Sequence, residues 1–232
     1  MPSDMRVYLF ESDNGECPYL PDRRWVTRSF QIGHLRESIY EGLLGQGWRR
    51  SGFAFYQNQC PGCNLCIPIR VPVDRFEPSK SQRRVRRKNR DVTVSRGPLE
   101  SDPEVFELYR RYHADRHGPS AELSGESFRH FLGSSPIRSE LVRYRVGGLL
   151  VGLGWIDLLS EGLSTVYFAF DPAESRRSLG TFSILTEIEM AASLGKQWYY
   201  LGFYVPGSPK MDYKKNFRPH QLLVDGRWQE QP

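Results

Sequence analysis

What the chain has little of narrows its class first. Cysteine occurs four times in 232 residues, too few for a disulfide framework. No apolar run approaches the roughly 20 residues of a membrane-crossing helix. The opening stretch from Met1 to Phe10 carries Asp4 and Arg6 and lacks the apolar centre of a secretory signal. These features lead to the expectation of a soluble, cytoplasmic protein. Several chemical signatures are missing as well. There is no Walker A lysine pattern, no G-x-G-x-x-G turn and no G-x-S-x-G elbow, which argues against P-loop ATP hydrolysis, dinucleotide binding and a serine nucleophile. His113 and His117 stand four apart, without the glutamate pattern of a zinc protease. No internal repeat or low-complexity segment stands out, and nothing in the sequence sets an oligomeric state.

What is present is concentrated. The net charge of +5 and pI near 9.1 permit nucleic-acid binding without requiring it. Lys80, Arg83, Arg84, Arg86, Arg87, Lys88 and Arg90 crowd into one short block with no acidic partner at helical spacing inside it. A solvated face is the plain reading; a phosphate-binding surface fits the density better. Ser79 or Ser81 can cap a helix here, with Val85 its one apolar anchor. Just upstream, Cys60, Cys63 and Cys66 recur every third residue around Pro61 and Gly62. With Cys17 as fourth ligand they suit a structural zinc or iron–sulfur site, with His34 a weaker fourth candidate. Reduced thiols in a tight loop account for them equally.

Gly97-Pro98 is the candidate boundary between an amino-terminal cysteine-containing α+β region (1–97) and a second domain (98–232). Before it, Asp13-Asn14-Gly15 predicts a turn, residues 34–46 a helix, 48–58 an aromatic strand and 67–73 an edge strand. After it, Ser101 followed by Glu104 predicts a capping box, and Gly118-Pro119 a helix end. The order from there is helix, helix, strand, strand, strand, loop, helix, strand, helix, strand: an α/β (α+β) domain with a mixed sheet. Phe182, Leu185, Ile188, Glu189 and Ala192 mark the buried face of the helix over 181–194.

Two segments of this second part carry candidate chemistry. Arg176, Arg177 and Gly180 lead into the 181–194 helix and make an anion cradle plausible there. The aromatic strand from Trp198 to Tyr204 is followed by Lys210-Met211-Asp212-Tyr213-Lys214, which reads as a cleft wall; Tyr200 is the candidate for stacking a terminal base.

Taken together, Cys60-x-x-Cys63-x-x-Cys66-x-Pro68-x-Arg70, Phe76-x-Pro78-Ser79-x-Ser81-Gln82-Arg83-Arg84, Ser178-Leu179-Gly180-Thr181, Tyr200-Leu201-Gly202-Phe203-Tyr204 and Lys210-Met211-x-Tyr213-Lys214 resemble the arginyl-tRNA–protein transferase family. Within it they resemble the short bacterial branch, the aspartate/glutamate leucyltransferases, over residues 5–228. The resemblance implies a GCN5-related acyltransferase-like carboxy-terminal domain. It implies transfer of leucine from leucyl-tRNA to proteins with an amino-terminal Asp or Glu, creating a signal for proteolysis. No cofactor is required for such a transfer, because the aminoacyl ester is already activated. Asp171, Tyr204, Asp212 and Tyr213 are then candidates for proton relay or positioning. Arg70, Lys210 and Lys214 are candidates for the acceptor's acidic side chain. The cysteines depart from the longer eukaryotic members: Cys17-Pro18-Tyr19-Leu20 lacks a second cysteine, and Gln59-Cys60 stands in place of a doublet. Arginyl transfer, an acyl-CoA-dependent acetyltransferase and a zinc-knuckle RNA-binding protein are the alternatives.

Overall fold

The computed structural model of the protein describes residues 7–118 and 123–231. In chain order the elements are β1 (Phe10–Glu16), β2 (Arg24–Gln31), α1 (Glu37–Leu44), β3 (Arg49–Ser51), β4 (Ala54–Asn58), β5 (Ile67–Pro72), α2 (Lys80–Lys88), β6 (Val92–Pro98), α3 (Pro103–His117), α4 (Gly125–Phe131), β7 (Ser139–Val146), β8 (Leu149–Leu158), β9 (Gly162–Phe170), α5 (Leu179–Ser193), β10 (Trp198–Tyr204), β11 (His220–Val224) and β12 (Arg227–Gln231). Two 3-10 turns matter below, Pro172–Arg177 and Asp212–Asn216. Pro119 and the first six residues, both used in the sequence reading, lie outside the described residues. No helix among the described residues is long and apolar enough to cross a membrane.

The strands form a small sheet in the order β1-β2-β4-β3 and a large one in the order β12-β11-β5-β10-β9-β8-β7-β6. The large sheet is mixed: β9 and β10 run parallel, and its other pairings are antiparallel. Its helices follow the polarity of the strands. On β10, Tyr199 and Leu201 join the core beneath α5, while Trp198 and Tyr200 on the alternate face pack into a second core with Tyr40 and Leu44 of α1. A third core, built on Val105, Leu108 and Tyr109 of α3 with Phe128 of α4, covers Leu153 and Trp155 of β8.

Several local expectations change in three dimensions. Asp13-Asn14-Gly15 does not turn the chain; it lies inside β1, whose register against β2 slips between Asp13 and Glu16. The Asn14 amide donates to Thr27 Oγ1 at 3.0 Å, so cross-strand pairing overrides the turn preference. Asp102, not Ser101, caps α3 by accepting from the Val105 amide at 2.9 Å, with Pro103 at the first helical position. Residues 97 and 98 lie within β6, where Pro98 pairs with Glu140. The edge strand expected at 67–73 is β5, interior to the large sheet between β10 and β11. Its Pro68 and Pro72 are tolerated because the pairing on either side is short or interrupted at Gly202.

The two sheets are tied by a buried ion pair. Arg50 on β3 meets both carboxylate oxygens of Asp157 on β8 through Nε and Nη2, with Nε 2.7 Å from Oδ2. Ser139 Oγ donates to the same carboxylate at 2.6 Å, and the Arg50 and Asp157 side chains are 3% and 0% exposed.

Candidate active site

The parallel pairing of β9 with β10 covers only residues 162–164 against 198–200. Immediately afterwards the register of β10 against β5 slips between Tyr200 and Gly202, and Gly202 takes φ +89°, a conformation side-chain-bearing residues avoid. The two strands part at this point. The carbonyl of Thr165, the next residue of β9, accepts from Arg49 Nη2 at 2.6 Å. A Cβ on Gly202 would stand 3.2 Å from Lys214 Nζ and 3.7 Å from Arg49 Nη2. The glycine therefore leaves room for two cations at the floor of the opening, one from β3 and one from the 212–216 turn. Burial, with Arg49 adding to it, lowers the Lys214 pKa to about 7.

A carboxylate lies on the α5 side of the same region. Glu187 is fully buried and accepts from Tyr199 OH at 2.7 Å. Its Oε1 is 3.1 Å from where a Cβ on Gly154 would sit, so it reaches across to β8. Burial pushes its carboxyl up to about 7, against the pull of the Tyr199 hydrogen bond. Tyr213, on the 212–216 turn, is 37% exposed, yet desolvation first and then Tyr112 and Glu187 raise its phenol to about 12. Lys210 is exposed and helps depress His117 at the end of α3, after burial and His113. Tyr213 and Lys214 thus lie on the turn packed against β10, and Lys210 lies near His117 of α3.

Other candidates have other partners. Asp171 caps the 172–177 turn through the Ala173 amide at 3.0 Å and pairs with Arg111 at 2.9 Å. Asp212 pairs with Lys215 at 2.7 Å. Tyr204, half-buried, packs against the core under α5. Tyr200 is 4% exposed, within the core beneath α1, where its ring offers no open face to a base. Arg70 does not meet Lys214. Its guanidinium lies 3.6 Å from the centre of the Trp198 ring and 4.3 Å from that of Trp228, and Nε donates to Gln221 at 2.8 Å.

The basic block is helical, as the better of two sequence readings has it. Ser79 and Gln82 form a reciprocal capping box, and Gln82 Nε2 also donates to the carbonyl of Asn216 at 3.1 Å. The buried residues near α2 are the polar Gln82 and Asn89; Val85, expected as the anchor, is half-buried. α2 packs along α5, and Lys88 and Asn89 donate to the carbonyls of Arg176 and Arg177. This places the block beside the start of α5, whose first turn has no side-chain cap. Gly180, in that turn, faces open space. Not all the cations are equally available. Arg86 pairs with Glu189 at 2.5 Å, Arg83 donates to the Pro78 carbonyl, and Arg177 is held by Asp91 and Glu174. Lys80, Arg84, Arg87, Arg90 and Arg176 are exposed, with no side-chain hydrogen bond or ion pair among the described residues.

Cys17, Cys60, Cys63 and Cys66, all half-exposed and free, line one cavity of about 470 Å³ with Tyr19, Trp25 and Phe203. Burial, then the other three thiols, pushes the Cys66 thiol up to about 12. Their donor chemistry suits a soft metal, but among the described residues no three His, Cys, Asp or Glu side chains stand close enough together to hold one.

Arg49 and Glu187 escape sequence reasoning. The signal for Glu187 is present: it falls on the stripe Ser183, Ile184, Ile188 and Ala191, all but the serine apolar, whereas Glu189, expected on the buried face, is exposed and paired with Arg86. Arg49 and Arg50 are consecutive and both buried, which strand alternation alone does not announce.

A mixed sheet whose central parallel strands part beside the helix that links them defines a GCN5-related acyltransferase-like fold. The solved structure of FemX has a similar fold at TM-score 0.50 and 8% identity, covering 91% of this chain and 84% of that one. So does the C-terminal domain of a putative lysylphosphatidylglycerol synthetase from Agrobacterium fabrum, at TM-score 0.50 and 12% identity, covering 83% and 62%. Residues 15–84 match the family model described as arginine-tRNA-protein transferase, N terminus, and residues 104–224 the one described as its C terminus. An aspartate/glutamate leucyltransferase of Marinobacter nauticus is 38% identical over 98% of both chains. One from Thiobacillus denitrificans is 39% identical over 98% of this chain and 96% of its own. The chain belongs to the arginine-tRNA-protein transferase family and is an aminoacyltransferase.

Proposed function

We propose that this enzyme works in the cytoplasm and moves leucine from leucyl-tRNA onto the amino-terminal Asp or Glu of acceptor proteins, marking them for proteolysis. The observation that carries the reading is the nearly full-length likeness to relatives named aspartate/glutamate leucyltransferase. The geometry supports it: an opening between β9 and β10 lies near a phosphate-seeking helix packed along α5. In the reaction the acceptor's α-amine attacks the leucyl ester carbonyl, the amide C–N bond forms, and the ester C–O bond to the terminal ribose breaks. The proton lost by the amine balances the one gained by the ribose oxygen. An amine with a pKa of about 8 needs little help to deprotonate, so positioning can supply most of the rate. The reading requires no cofactor for the transfer, because the ester is already activated.

A second reading, arginyl transfer, draws on the description of the matching family models. The deciding experiment supplies labelled leucine and labelled arginine on tRNA to peptides beginning with Asp, Glu or Ala. Leucine on the Asp and Glu peptides alone is the expected result. Arginine on them favours the second reading, and no transfer from either donor removes both.

A further inference from the structure

Arg49 and Lys214 form a pair of cations without a counter-ion. Both stand within 4 Å of the single point above Gly202 where a side chain would begin. Arg49 is 8% exposed, and among the described residues its side-chain hydrogen bond is to one neutral carbonyl, that of Thr165. Lys214 has no ion pair or side-chain hydrogen bond among the described residues, and the charged group that perturbs it is Arg49. Arg49 is buried and Lys214 half-buried, and two like charges kept this close are unfavourable unless an anion joins them. Arginine cannot relieve the repulsion by losing its proton. Arg70, by contrast, is already stacked between indoles and bonded to Gln221.

The direction from which Arg49 comes identifies the anion. The exposed cations suited to tRNA phosphates belong to α2 and Arg176, beside α5. Tyr199 of β10 faces α5, while Tyr200 faces the core under α1 to which Trp48, next to Arg49, belongs. Arg49 therefore enters the opening from the sheet face opposite α5, away from the phosphate-seeking surface. Resting on the functional reading above, we infer that Arg49 and Lys214 together receive the side-chain carboxylate of the acceptor's first residue. In Asp or Glu that carboxylate lies only a few bonds from the α-amine. Holding it at the floor of the opening brings the amine to the gap between the parted strands, where the ester carbonyl must come. Binding also returns full charge to Lys214, whose proton is otherwise held weakly near neutral pH.

Lys214→Met and Arg49→Met test the pair, with leucyl-tRNA as donor and peptides beginning with Asp, Glu, Asn or Gln as acceptors. Each variant is expected to raise KM for the Asp and Glu peptides about tenfold or more, change kcat less, and shrink the preference for Asp over Asn. Lys214→Arg, which keeps the charge, should recover part of that preference. Calorimetry of the same peptides with the tRNA-free protein should show the Asp peptide binding more tightly than the Asn peptide, a difference abolished in the variants. Folded variants with KM for Asp and Glu within twofold of the parent overturn the inference. So does an equal fall in kcat on every peptide with KM unchanged, which would indicate a role in the chemical step. Should Arg49→Met fail to fold, Arg49→Lys and Lys214→Met carry the test. Absence of transfer by the unmodified enzyme defeats the functional reading instead, and the binding comparison still judges the subsite.

Discussion

Glu187 shows what one residue can do when the surrounding fold removes water. Its Oε2 is bonded to Tyr199, but Oε1 and the nearby Tyr144 hydroxyl are buried without a hydrogen-bond partner among the described residues. A carboxyl in such a place holds its proton to about pH 7 in the folded state, against an ordinary value of 4.5. The folded form thus retains a proton that the unfolded chain has released. Glu187 is expected to lower stability progressively as pH rises from about 4.5 to 7, by about 3 kcal/mol in all, and to have no further pH effect above that. Lys214 titrates in the opposite sense and at higher pH, from about 7 toward 10.5, so it does not offset Glu187 within this window. Glu187→Gln preserves an acceptor for Tyr199 and cannot ionise. Urea unfolding of the two proteins between pH 5 and 8 should show the Gln form gaining relative stability as pH rises; parallel curves would refute a raised carboxyl.

At the scale of an element, α2 and Arg90 just beyond its end separate cations that hold the fold from cations left for a ligand. Arg86 is paired with Glu189, whereas Lys80, Arg84, Arg87 and Arg90 are exposed without partners among the described residues. Neutralising those four to Gln should weaken tRNA binding and flatten its salt dependence by about 0.7–0.9 in log–log slope for each phosphate that is no longer neutralised. Arg86→Gln should leave that slope nearly unchanged. Binding isotherms across a range of salt concentrations measure both, and an unaltered slope in the fourfold variant would remove α2 from the nucleic-acid surface. The helix itself is legible in the sequence, because Ser79 and Gln82 are local capping chemistry. Which arginines are free is not, because Glu189 lies a hundred residues away and meets Arg86 only when α2 packs on α5.

At the scale of the molecule, the amino-terminal residues are built into the acyltransferase sheet rather than appended to it. β5 lies between β10 and β11, and Arg50 of the small sheet is locked to Asp157 of the large one. Removing one member of so enclosed a pair leaves the other charge unanswered. Asp157→Ala should therefore destabilise the protein by about 3–5 kcal/mol. Arg50→Met combined with Asp157→Leu should restore a large part of that stability. Chemical denaturation checks both, and a change below about 1 kcal/mol for Asp157→Ala would show that the pair does not hold the sheets together. The same interlocking delivers Arg49, the neighbour of Arg50, to the opening beside Gly202.

The order of helices and strands from α3 to β10, the strand β11 and the helical basic block follow from local chemistry, whereas the helix expected at 209–217 is only a 3-10 turn at 212–216 and β12 follows where no further strand was expected. Periodicity, capping residues and turn formers act within a few positions of the chain, so they can be read along it. Their company suffices to resemble one family. Partnerships across the chain were decided only by packing. β1 runs through its turn residues because β2 lies beside it, and Tyr200 is core because α1 covers it. Glu187 is buried because the sheet closes over its helix face, and Arg49 meets Lys214 because strands far apart in sequence part at one place. Burial, pKa and pairing depend on what water is excluded and which charges meet, and these are properties of the assembled fold.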